Sequence, residues 1–284
     1  MSSSIPKIGA HVSASGGLSN SVMNAQKIGA DCFQIFGASP RQWFAKKPDK
    51  NEIARYQAML KKSGFGPVFL HAAYLPNLAS PNKEILKKSV KNLSDHLEIA
   101  EAIKAEGLIF HVGSGKGSSR KEALDQEILG MKEILKSVPG KTKLIMENTA
   151  GGGDKIGSIE DIAYLYKKVN SARIKICYDT AHGLESGLIE KYEPAGIKNL
   201  FDEWNKAIGI ENIIALHVND SKTAFQSHHD RHENIGEGVI GPNGFRNLAK
   251  EKRLVSAAWI LEVPGFDDQG PDAKNVSILK SCFK

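Results

Sequence analysis

The chain has 284 residues, and 38 Lys and Arg against 32 Asp and Glu give it a formal net charge of +6. Its 25% charged and 41% hydrophobic residues are the balance of a globular protein and exclude an intrinsically disordered one. Uninterrupted apolar runs such as residues 257–261 are far shorter than the roughly 20 residues that span a bilayer, so a membrane protein is excluded. The basic surplus suits a polyanionic partner but is weak evidence by itself.

The start of the chain and the cysteines indicate a cellular compartment. Residues 1–7 contain three serines and lack the apolar stretch of a secretory signal. The three cysteines, Cys32, Cys177 and Cys282, are odd in number and far apart, so they predict no disulfide framework and no Cys-x-x-Cys motif. We therefore expect a protein of the reducing cytoplasm.

Short β-rich runs alternate with amphipathic helical stretches along the whole chain. The runs predict eight strands, at residues 8–13, 32–36, 67–72, 108–113, 143–149, 174–182, 212–219 and 257–263. Helices are predicted between them, for example at 51–62, 83–105 and 121–136. Ser158 with Asp161, and Pro194, mark helix starts, while Gly64, Gly107 and Gly140 mark stops.

Strand and helix repeated eight times predict parallel strands with crossover helices. In a chain of this length, a closed (β/α)8 TIM barrel accounts for every element, so residues 1–284 are expected to form a single domain of the α/β class. An open doubly wound sheet is the alternative, because alternation alone does not demonstrate closure.

Ionisable side chains concentrate where the predicted strands end. Eight of the nine histidines lie at strand ends or in the loops that follow them; only His96 falls inside a helix. Glu147, Asp179 and Glu262 also end strands, and Asp230 shares a loop with His232. Any one of these residues has an ordinary explanation as a local hydrogen-bonding group or a helix cap. Converging together in a barrel mouth, they are costly unless they are paired or bind metal ions. The set contains no cysteine, and its His and carboxylate donors suit Zn²⁺ first, with Mn²⁺ or Fe²⁺ as alternatives.

Six segments resemble the endonuclease IV family, and together they cover essentially the whole chain. They are residues 8–17 (IGAHVSASGG), 71–74 (HAAY) with Asn77 and Leu78, 178–182 (YDTAH), 217–222 (HVNDSK), 230–238 (DRHENIGEG) and 261–264 (LEVP). Members of that family are apurinic/apyrimidinic endonucleases of base excision repair, built on a TIM barrel with three zinc ions. The resemblance therefore implies the same fold, chemistry and cofactor here, with Mn²⁺ as a substitute metal.

The resemblance also implies residue roles. The metal ligands would be His71, His111 and Glu147 for one zinc, Glu147, Asp179, His217 and Glu262 for the second, and His182, Asp230 and His232 for the third. Glu147 would be the catalytic bridge between the first two ions. Arg41, Tyr74 and Leu75 match positions that penetrate the DNA duplex at the lesion. Three positions depart from the family pattern: Ala181, where relatives often carry Cys, and Ala73 and Pro76 in the loop after the third strand.

The implied reaction is hydrolysis of the phosphodiester 5′ to an abasic site, leaving a 3′-hydroxyl and a 5′-deoxyribose phosphate, with side activity on blocked 3′ ends. The expected partner is duplex DNA, bound by a monomer, with basic loop residues contacting phosphates. These basic residues are Lys46, Lys47, Lys116, Arg120, Lys222 and Arg231. A metal-dependent sugar isomerase or epimerase on the same barrel is the enzymatic alternative, and a catalytically silent binder of damaged DNA is the other.

Overall fold

The computed structural model describes residues 5–39 and 42–284, and within them eight parallel strands close into a barrel. The barrel strands are β1 (Ile8–His11), β2 (Cys32–Phe36), β3 (Val68–His71), β4 (Gly107–His111), β5 (Lys143–Glu147), β6 (Ile174–Asp179), β7 (Ile213–His217) and β10 (Ala258–Leu261). The pairing of β1 with both β2 and β10 closes the ring. This closure excludes the open doubly wound sheet. A separate antiparallel ribbon joins β8 (Asp220–Ser221) to β9 (His232–Glu233).

Helices follow the strands and surround the barrel. They are α1 (Leu18–Lys27), α2 (Lys50–Ser63), α3 (Lys83–Ile103), α4 (Arg120–Ser137), α5 (Ile159–Val169), α6 (Thr180–Glu185), α7 (Pro194–Ile208), α8 (Gly241–Leu248) and α9 (Ala273–Ser281). Over residues 5–39 and 42–284, no helix combines the length and the apolar character needed to cross a bilayer. The TIM barrel is confirmed, and the extent of the single domain over residues 1–284 stays a prediction.

Most helix boundaries follow from local capping chemistry. The Ser158 side chain and Asp161 form a reciprocal capping box at the start of α5, and Pro194 occupies the first turn of α7, as predicted. Gly64 ends α2 in the left-handed conformation, with φ of 72°. Gly107 does not end a helix: it begins β4, and Lys104 caps α3 instead. Gly140 likewise follows the actual cap of α4, Val138.

The sixth predicted strand, 174–182, is too long. It ends at Asp179, because the Asp179 carboxylate accepts a hydrogen bond from the backbone N–H of His182 and so caps α6. The early turn into a helix brings His182 back over the barrel mouth.

The barrel interior is filled in layers, since alternate residues of each strand point inward. One fully apolar layer contains Cys32, Phe69, Ile109, Ile145, Cys177, Ala215, Ala258 and Ile260. Two residues beyond the last apolar member on each of these strands, the next inward position is polar. The barrel thus has an apolar floor beneath a polar layer at its carboxyl end, the end that carries active sites in this fold.

Several buried carboxyls lie outside this polar layer, and one of them has no charged partner in the part of the chain that the structure describes. Glu127 on α4 is fully buried, and neither of its oxygens makes a hydrogen bond of regular geometry with the described residues. Burial raises the pKa of Glu127 to about 8 from an ordinary 4.5, against a smaller opposing effect of the Gly113 backbone N–H. The folded protein therefore holds this proton more tightly than the unfolded chain, and the free energy of unfolding falls as the pH rises through this interval.

Replacing Glu127 with Gln is expected to remove this pH-dependent cost. A shift of one pKa unit corresponds to about 1.4 kcal/mol. The free energy of unfolding of the variant, relative to that of the unmodified protein, should therefore rise by about 2 to 4 kcal/mol from about pH 5 to about pH 9. Urea unfolding of both proteins at the two pH values measures this, and pH effects common to both cancel in the difference. An identical difference at the two pH values would contradict the expectation.

Candidate metal centre

The polar layer takes one side chain from each barrel strand or from the residue just beyond it. Its members are His11, Gln34, His71, His111, Glu147, Asp179, His217 and Glu262. Six of these eight are predicted metal ligands, and strand alternation aims all of them into the barrel mouth. The remaining predicted ligands, His182, Asp230 and His232, come from α6 and from the loop that ends in β9.

Glu147 lies at the centre of the layer and is fully buried. Its Oε2 is 3.2 Å from Nε2 of His71 and 3.1 Å from Nε2 of His111. Its Oε1 is 2.8 Å from Nδ1 of His217. Each carboxylate oxygen therefore faces a different histidine group, which is the geometry of a bridging carboxylate.

The ligands predicted for the second ion also converge. One donor atom from each of Glu147, Asp179, His217 and Glu262 lies within 4.8 Å of the other three. Nδ1 of His217 is 3.3 Å from Oε2 of Glu262 and 4.0 Å from Oδ2 of Asp179. This spacing matches donors that share one ion at bond lengths of about 2.0–2.2 Å.

The third predicted group lies beside the second. Nε2 of His182 is 3.3 Å from Oδ2 of Asp230, and Nε2 of His232 is 3.6 Å from Oδ1 of the same carboxylate. Nε2 of His232 is also 3.6 Å from Oδ2 of Asp179. All nine predicted ligands are therefore brought together, although their assignment to metal ions stays a prediction.

Two ring nitrogens that face carboxylates without a regular hydrogen bond support the fit of a metal to this centre. Nε2 of His182 and Nε2 of His232 are buried, and neither makes a hydrogen bond to any described residue. Their opposite nitrogens do have partners: Nδ1 of His182 lies 2.8 Å from the Asn148 carbonyl and Nδ1 of His232 lies 3.3 Å from the Glu262 carbonyl. Ligating histidines commonly donate one N–H to such a carbonyl and offer the other nitrogen to the metal. The donor set thus fits Zn²⁺.

The carboxylates and imidazoles in the centre shift each other's ionisation. Burial alone would raise the pKa of Glu147, but His217 and His111 hold it well below its ordinary range. Burial alone would lower the pKa of His182, but the carboxylates of Asp179 and Asp230 raise it well above its ordinary value. The carboxylates are therefore ionised, as a divalent metal requires, and metal binding would release the proton that they hold on His182.

A shell of amides and hydroxyls orients the ligands. The Asn219 side chain donates to Oδ2 of Asp179 over 2.7 Å and accepts from the backbone N–H of Glu262 over 2.7 Å. Oδ1 of Asn148 accepts from the backbone N–H of Asp179. Thr180 donates its hydroxyl proton to the Asn219 carbonyl. These contacts fix Asp179 and Glu262, two of the three carboxylate ligands of the second group, from outside the donor set.

Sequence reasoning missed Glu185, a fully buried residue one turn after His182. Its Oε1 accepts hydrogen bonds from the Ser221 hydroxyl over 2.6 Å and from the Arg231 backbone N–H over 3.2 Å. Glu185 therefore ties α6, which carries His182, to the loop that carries Asp230 and His232. A carboxylate at helical spacing from a predicted ligand was the only signal in the sequence.

Two further residues of the layer, His11 and Gln34, were also left without a role. The alternation of inward and outward residues along each strand would have found Gln34. It lies two residues after Cys32, just as His71 lies two residues after Phe69. Cys177, by contrast, is an inert part of the apolar floor. Burial raises the pKa of its thiol to about 12, so it stays neutral and is a poor ligand.

The predicted DNA-penetrating residues lie on the rim, as far as they are described. Tyr74 is 65% exposed and Leu75 is 36% exposed, both just after β3. The Tyr74 ring centroid lies 5.6 Å from that of Phe36. Arg41 lies outside the described residues.

Several of the basic loop residues already have protein partners. Arg120 binds the carboxylate of Asp161 and the Lys155 carbonyl, and Lys47 pairs with Glu98. Lys222 lies 3.7 Å from Glu233. These contacts make Arg120, whose partner Asp161 is buried, a poorer candidate for phosphate than the sequence indicated.

Comparison with known proteins gives the family. A family model described as a xylose isomerase-like TIM barrel matches residues 22–282. Proteins named probable endonuclease 4 are similar over nearly the whole chain. The one from Halothermothrix orenii is 34% identical over 276 residues, covering 96% of this chain and 99% of the relative. The one from Campylobacter concisus is 38% identical over 260 residues, covering 90% and 91%.

Solved structures agree with these relatives. The crystal structure of endonuclease IV from Thermus thermophilus superimposes with a TM-score of 0.84 at 31% identity, covering 98% of each chain. A D-tagatose 3-epimerase-like protein superimposes with a TM-score of 0.73 at 21% identity, covering 97% of this chain and 96% of that one, and shows the shared fold alone. The chain therefore belongs to the endonuclease IV family of hydrolases, on the xylose isomerase-like TIM barrel.

Proposed function

We propose that this chain is a zinc-dependent endonuclease that hydrolyses the phosphodiester bond 5′ to abasic sites in duplex DNA during base excision repair. Its products are a 3′-hydroxyl and a 5′-deoxyribose phosphate. The observation that carries the proposal is the set of nine converging nitrogen and carboxylate donors at the carboxyl end of the barrel, in a chain of the endonuclease IV family.

We assign these donors to three Zn²⁺ ions, with Mn²⁺ as a substitute. The first group is His71, His111 and Glu147; the second is Glu147, Asp179, His217 and Glu262; the third is His182, Asp230 and His232. The assignment is supported by the way the two oxygens of Glu147 face different histidines. It is also supported by the buried Nε2 atoms of His182 and His232, which face carboxylate oxygens and make no regular hydrogen bond.

Bound Zn²⁺ would supply Lewis acidity at the scissile phosphate and lower the pKa of the attacking water. The protein's own residues supply position. Glu147 spans two groups with one short side chain, while Asn219 and Asn148 hold Asp179 in place. The apolar layer beneath, which includes Ile145 and Ile260, closes the barrel to water from below. Such a preorganised site acts mainly by stabilising charge that develops in the transition state.

Charge balance at the centre also favours an anionic substrate once metal is bound. The donor set holds four carboxylates, those of Glu147, Asp179, Asp230 and Glu262, which by themselves repel phosphate. Three divalent ions would reverse the sign of this local charge. The centre would then attract a phosphodiester, in keeping with the basic surplus of the whole chain.

The size of the cavity above the centre argues against a small sugar as the substrate. The cavity holds about 1340 Å³ and extends from His71 and His111 to Lys27 and Lys46. Small-molecule sites usually measure about 300–1,000 Å³. A cavity larger than this range suits a polymer such as DNA better than the substrate of an isomerase or epimerase.

Lesion recognition falls to the rim residues. An abasic nucleotide has no base to stack or pair, so turning it out of the duplex costs less than flipping a normal base. Exposed Tyr74 and Leu75 are suited to fill the resulting gap, as wedges do in other DNA-bending proteins. Arg41 is proposed to act with them.

Replacing Tyr74 with Ala tests this role. A base–aromatic stacking contact is worth about 1–3 kcal/mol, so binding to an abasic duplex should weaken by about 5- to 100-fold. Tyr164 on α5 is a matched control, since it is a half-exposed tyrosine remote from the centre, and Tyr164→Ala should bind normally. Fluorescence anisotropy with a metal-loaded protein measures both. Equal affinities of the two variants would contradict the wedge role.

The proposed activity is tested with a duplex that carries one stable abasic analogue, labelled at its 5′ end. We expect metal-dependent incision immediately 5′ to the analogue, yielding a labelled fragment with a free 3′-hydroxyl, and no cut in the intact duplex. Loss of the activity on chelation and its return with Zn²⁺ would support the metal assignment. A protein that leaves the abasic duplex whole but interconverts ketoses would instead support the epimerase alternative.

We extend the proposal to side activity on 3′-phosphate and 3′-phosphodiester ends. A blocked 3′ end presents the same phosphate chemistry to the same donors, without the need to distort a continuous strand. We propose that the enzyme acts as a cytoplasmic monomer.

A further inference from the structure

Gln34 is the one amide in the polar layer, and it lies on β2, a strand that contributes none of the nine predicted ligands. It is fully buried. β2 pairs with β1 on one side and β3 on the other, so Gln34 lies opposite His11 in the register and near the point where the barrel closes on β10. A buried amide beside a metal centre is costly unless all of its hydrogen-bonding capacity is used.

The contacts of Gln34 use both of its N–H donors and its acceptor oxygen. Its Nε2 donates to Oε1 of Glu262 over 2.6 Å and lies 2.9 Å from Nδ1 of His11. Its Oε1 lies 2.9 Å from Nε2 of His217. The carboxylate of Glu262 can only accept, so the amide nitrogen must face it and the amide oxygen must face His217.

This orientation decides which nitrogen of His217 is available to a metal. An amide oxygen only accepts, so Nε2 of His217 carries a proton and donates it to Gln34. The lone pair of the neutral ring is then on Nδ1, which faces Oε1 of Glu147 at 2.8 Å and Oε2 of Glu262 at 3.3 Å. Gln34 also donates to Oε1 of Glu262, so Oε2 of that carboxylate remains available and faces Nδ1 of His217.

Other histidines of the centre obtain this orientation from the main chain. Nδ1 of His71 lies 2.8 Å from the Ala72 carbonyl, and Nδ1 of His182 lies 2.8 Å from the Asn148 carbonyl. For His217 the corresponding acceptor is a side chain, and that side chain simultaneously holds a second ligand of the same group. This double contact distinguishes Gln34 from ordinary packing in the barrel.

We propose that Gln34 is a positioning residue of the second metal group: it fixes the Nε2–H tautomer of His217 and directs Oε2 of Glu262 to the shared ion. The inference rests on the proposed metal centre. Partners that orient metal ligands in this way typically contribute 10- to 100-fold to metal affinity. Because the wild-type residue is neutral, its effect comes from orientation and not from added charge.

The first test is competition for Zn²⁺ between a chelating dye and three proteins: the unmodified chain, Gln34→Leu and Gln57→Leu. Gln57 on α2 bonds the Ala102 carbonyl outside the centre and serves as the matched control. We expect one zinc equivalent to bind about 10- to 100-fold more weakly in Gln34→Leu and normally in Gln57→Leu. Equal zinc affinity in all three proteins would overturn the role of Gln34 and leave the metal centre intact. An unmodified protein that binds no zinc would overturn both the metal centre and this inference.

The second test needs no variant and so stands even where Gln34→Leu fails to fold. Long-range ¹H–¹⁵N spectra of the zinc-loaded, unmodified protein report which nitrogen of each imidazole carries the proton. We expect His217 to be protonated at Nε2, with that proton protected from exchange. A His217 ring protonated at Nδ1, or an Nε2 without a proton, would overturn the inference.

Discussion

Glu147→Gln is expected to abolish incision of an abasic duplex, with a loss of at least about 10³-fold in turnover. The glutamine amide keeps the size of the side chain but loses one of the two oxygens that face His71 and His217, so it cannot bridge. A metal contributes several kcal/mol of transition-state stabilisation, and each 1.36 kcal/mol corresponds to about tenfold in rate. Single-turnover incision measures the loss.

DNA affinity provides the second readout for this variant. The rim residues that contact the duplex, such as Tyr74, are unchanged in Glu147→Gln, so binding should stay within about threefold of normal. Glu127→Gln is the matched control, because it makes the same change at a fully buried glutamate outside the polar layer. Near-normal turnover in Glu147→Gln, or an equal loss in Glu127→Gln, would contradict the bridging role.

Asp220→Asn is expected to destabilise the folded protein by about 2–4 kcal/mol. The buried Asp220 carboxylate accepts five backbone N–H groups, from Ser221, Gly236, Gly238, Ile240 and Gly241, at 2.8–3.1 Å. An amide nitrogen cannot accept, so two or three of these donors would be left unsatisfied at about 1–3 kcal/mol each, partly relieved by local adjustment. Denaturant unfolding measures the effect.

The exposed Asp125, which pairs with Lys121 along α4, offers a control for the Asp-to-Asn change. Asp125→Asn should stay within about 0.5 kcal/mol of the unmodified protein, since exposed ion pairs contribute little. Asp220→Asn should also weaken zinc binding at the third group. The Asp220 carboxylate anchors residues 236–241, and this segment follows directly after the one that carries His232. Unchanged unfolding of Asp220→Asn would show that the five hydrogen bonds contribute nothing net.

The barrel and its predicted ligands were accessible from the sequence because both follow local patterns. Apolar runs with intervening helical periodicity predicted eight strands, and each strand was found within a few residues of its place. Strand ends then predicted which histidines and carboxylates would meet, since in a parallel barrel all carboxyl ends lie on one face. The error at residues 174–182 arose because Asp179 has two roles, as the end of a strand and as the cap of a helix.

The supporting contacts were not accessible in this way. Gln34 meets Glu262 across 228 positions of sequence, and only closure of the barrel between β1 and β10 brings them together. Asp220 accepts backbone N–H groups, which have no signature in side-chain identity. Glu185 joins α6 to the distant loop that carries Asp230 and His232, and that contact depends on the fold. Residues that act through main-chain geometry or through long-range register require the three-dimensional structure.

The central claim is that the polar layer and the adjoining loop form a metal centre bridged by Glu147. An anomalous difference map, recorded at the zinc absorption edge from crystals of the zinc-loaded protein, tests it most directly. We predict three peaks: one between His71 and His111, one among Asp179, His217 and Glu262, and one among His182, Asp230 and His232, with Glu147 in contact with the first two. A map without a peak at Glu147, or with zinc bound only outside the barrel mouth, would contradict the claim.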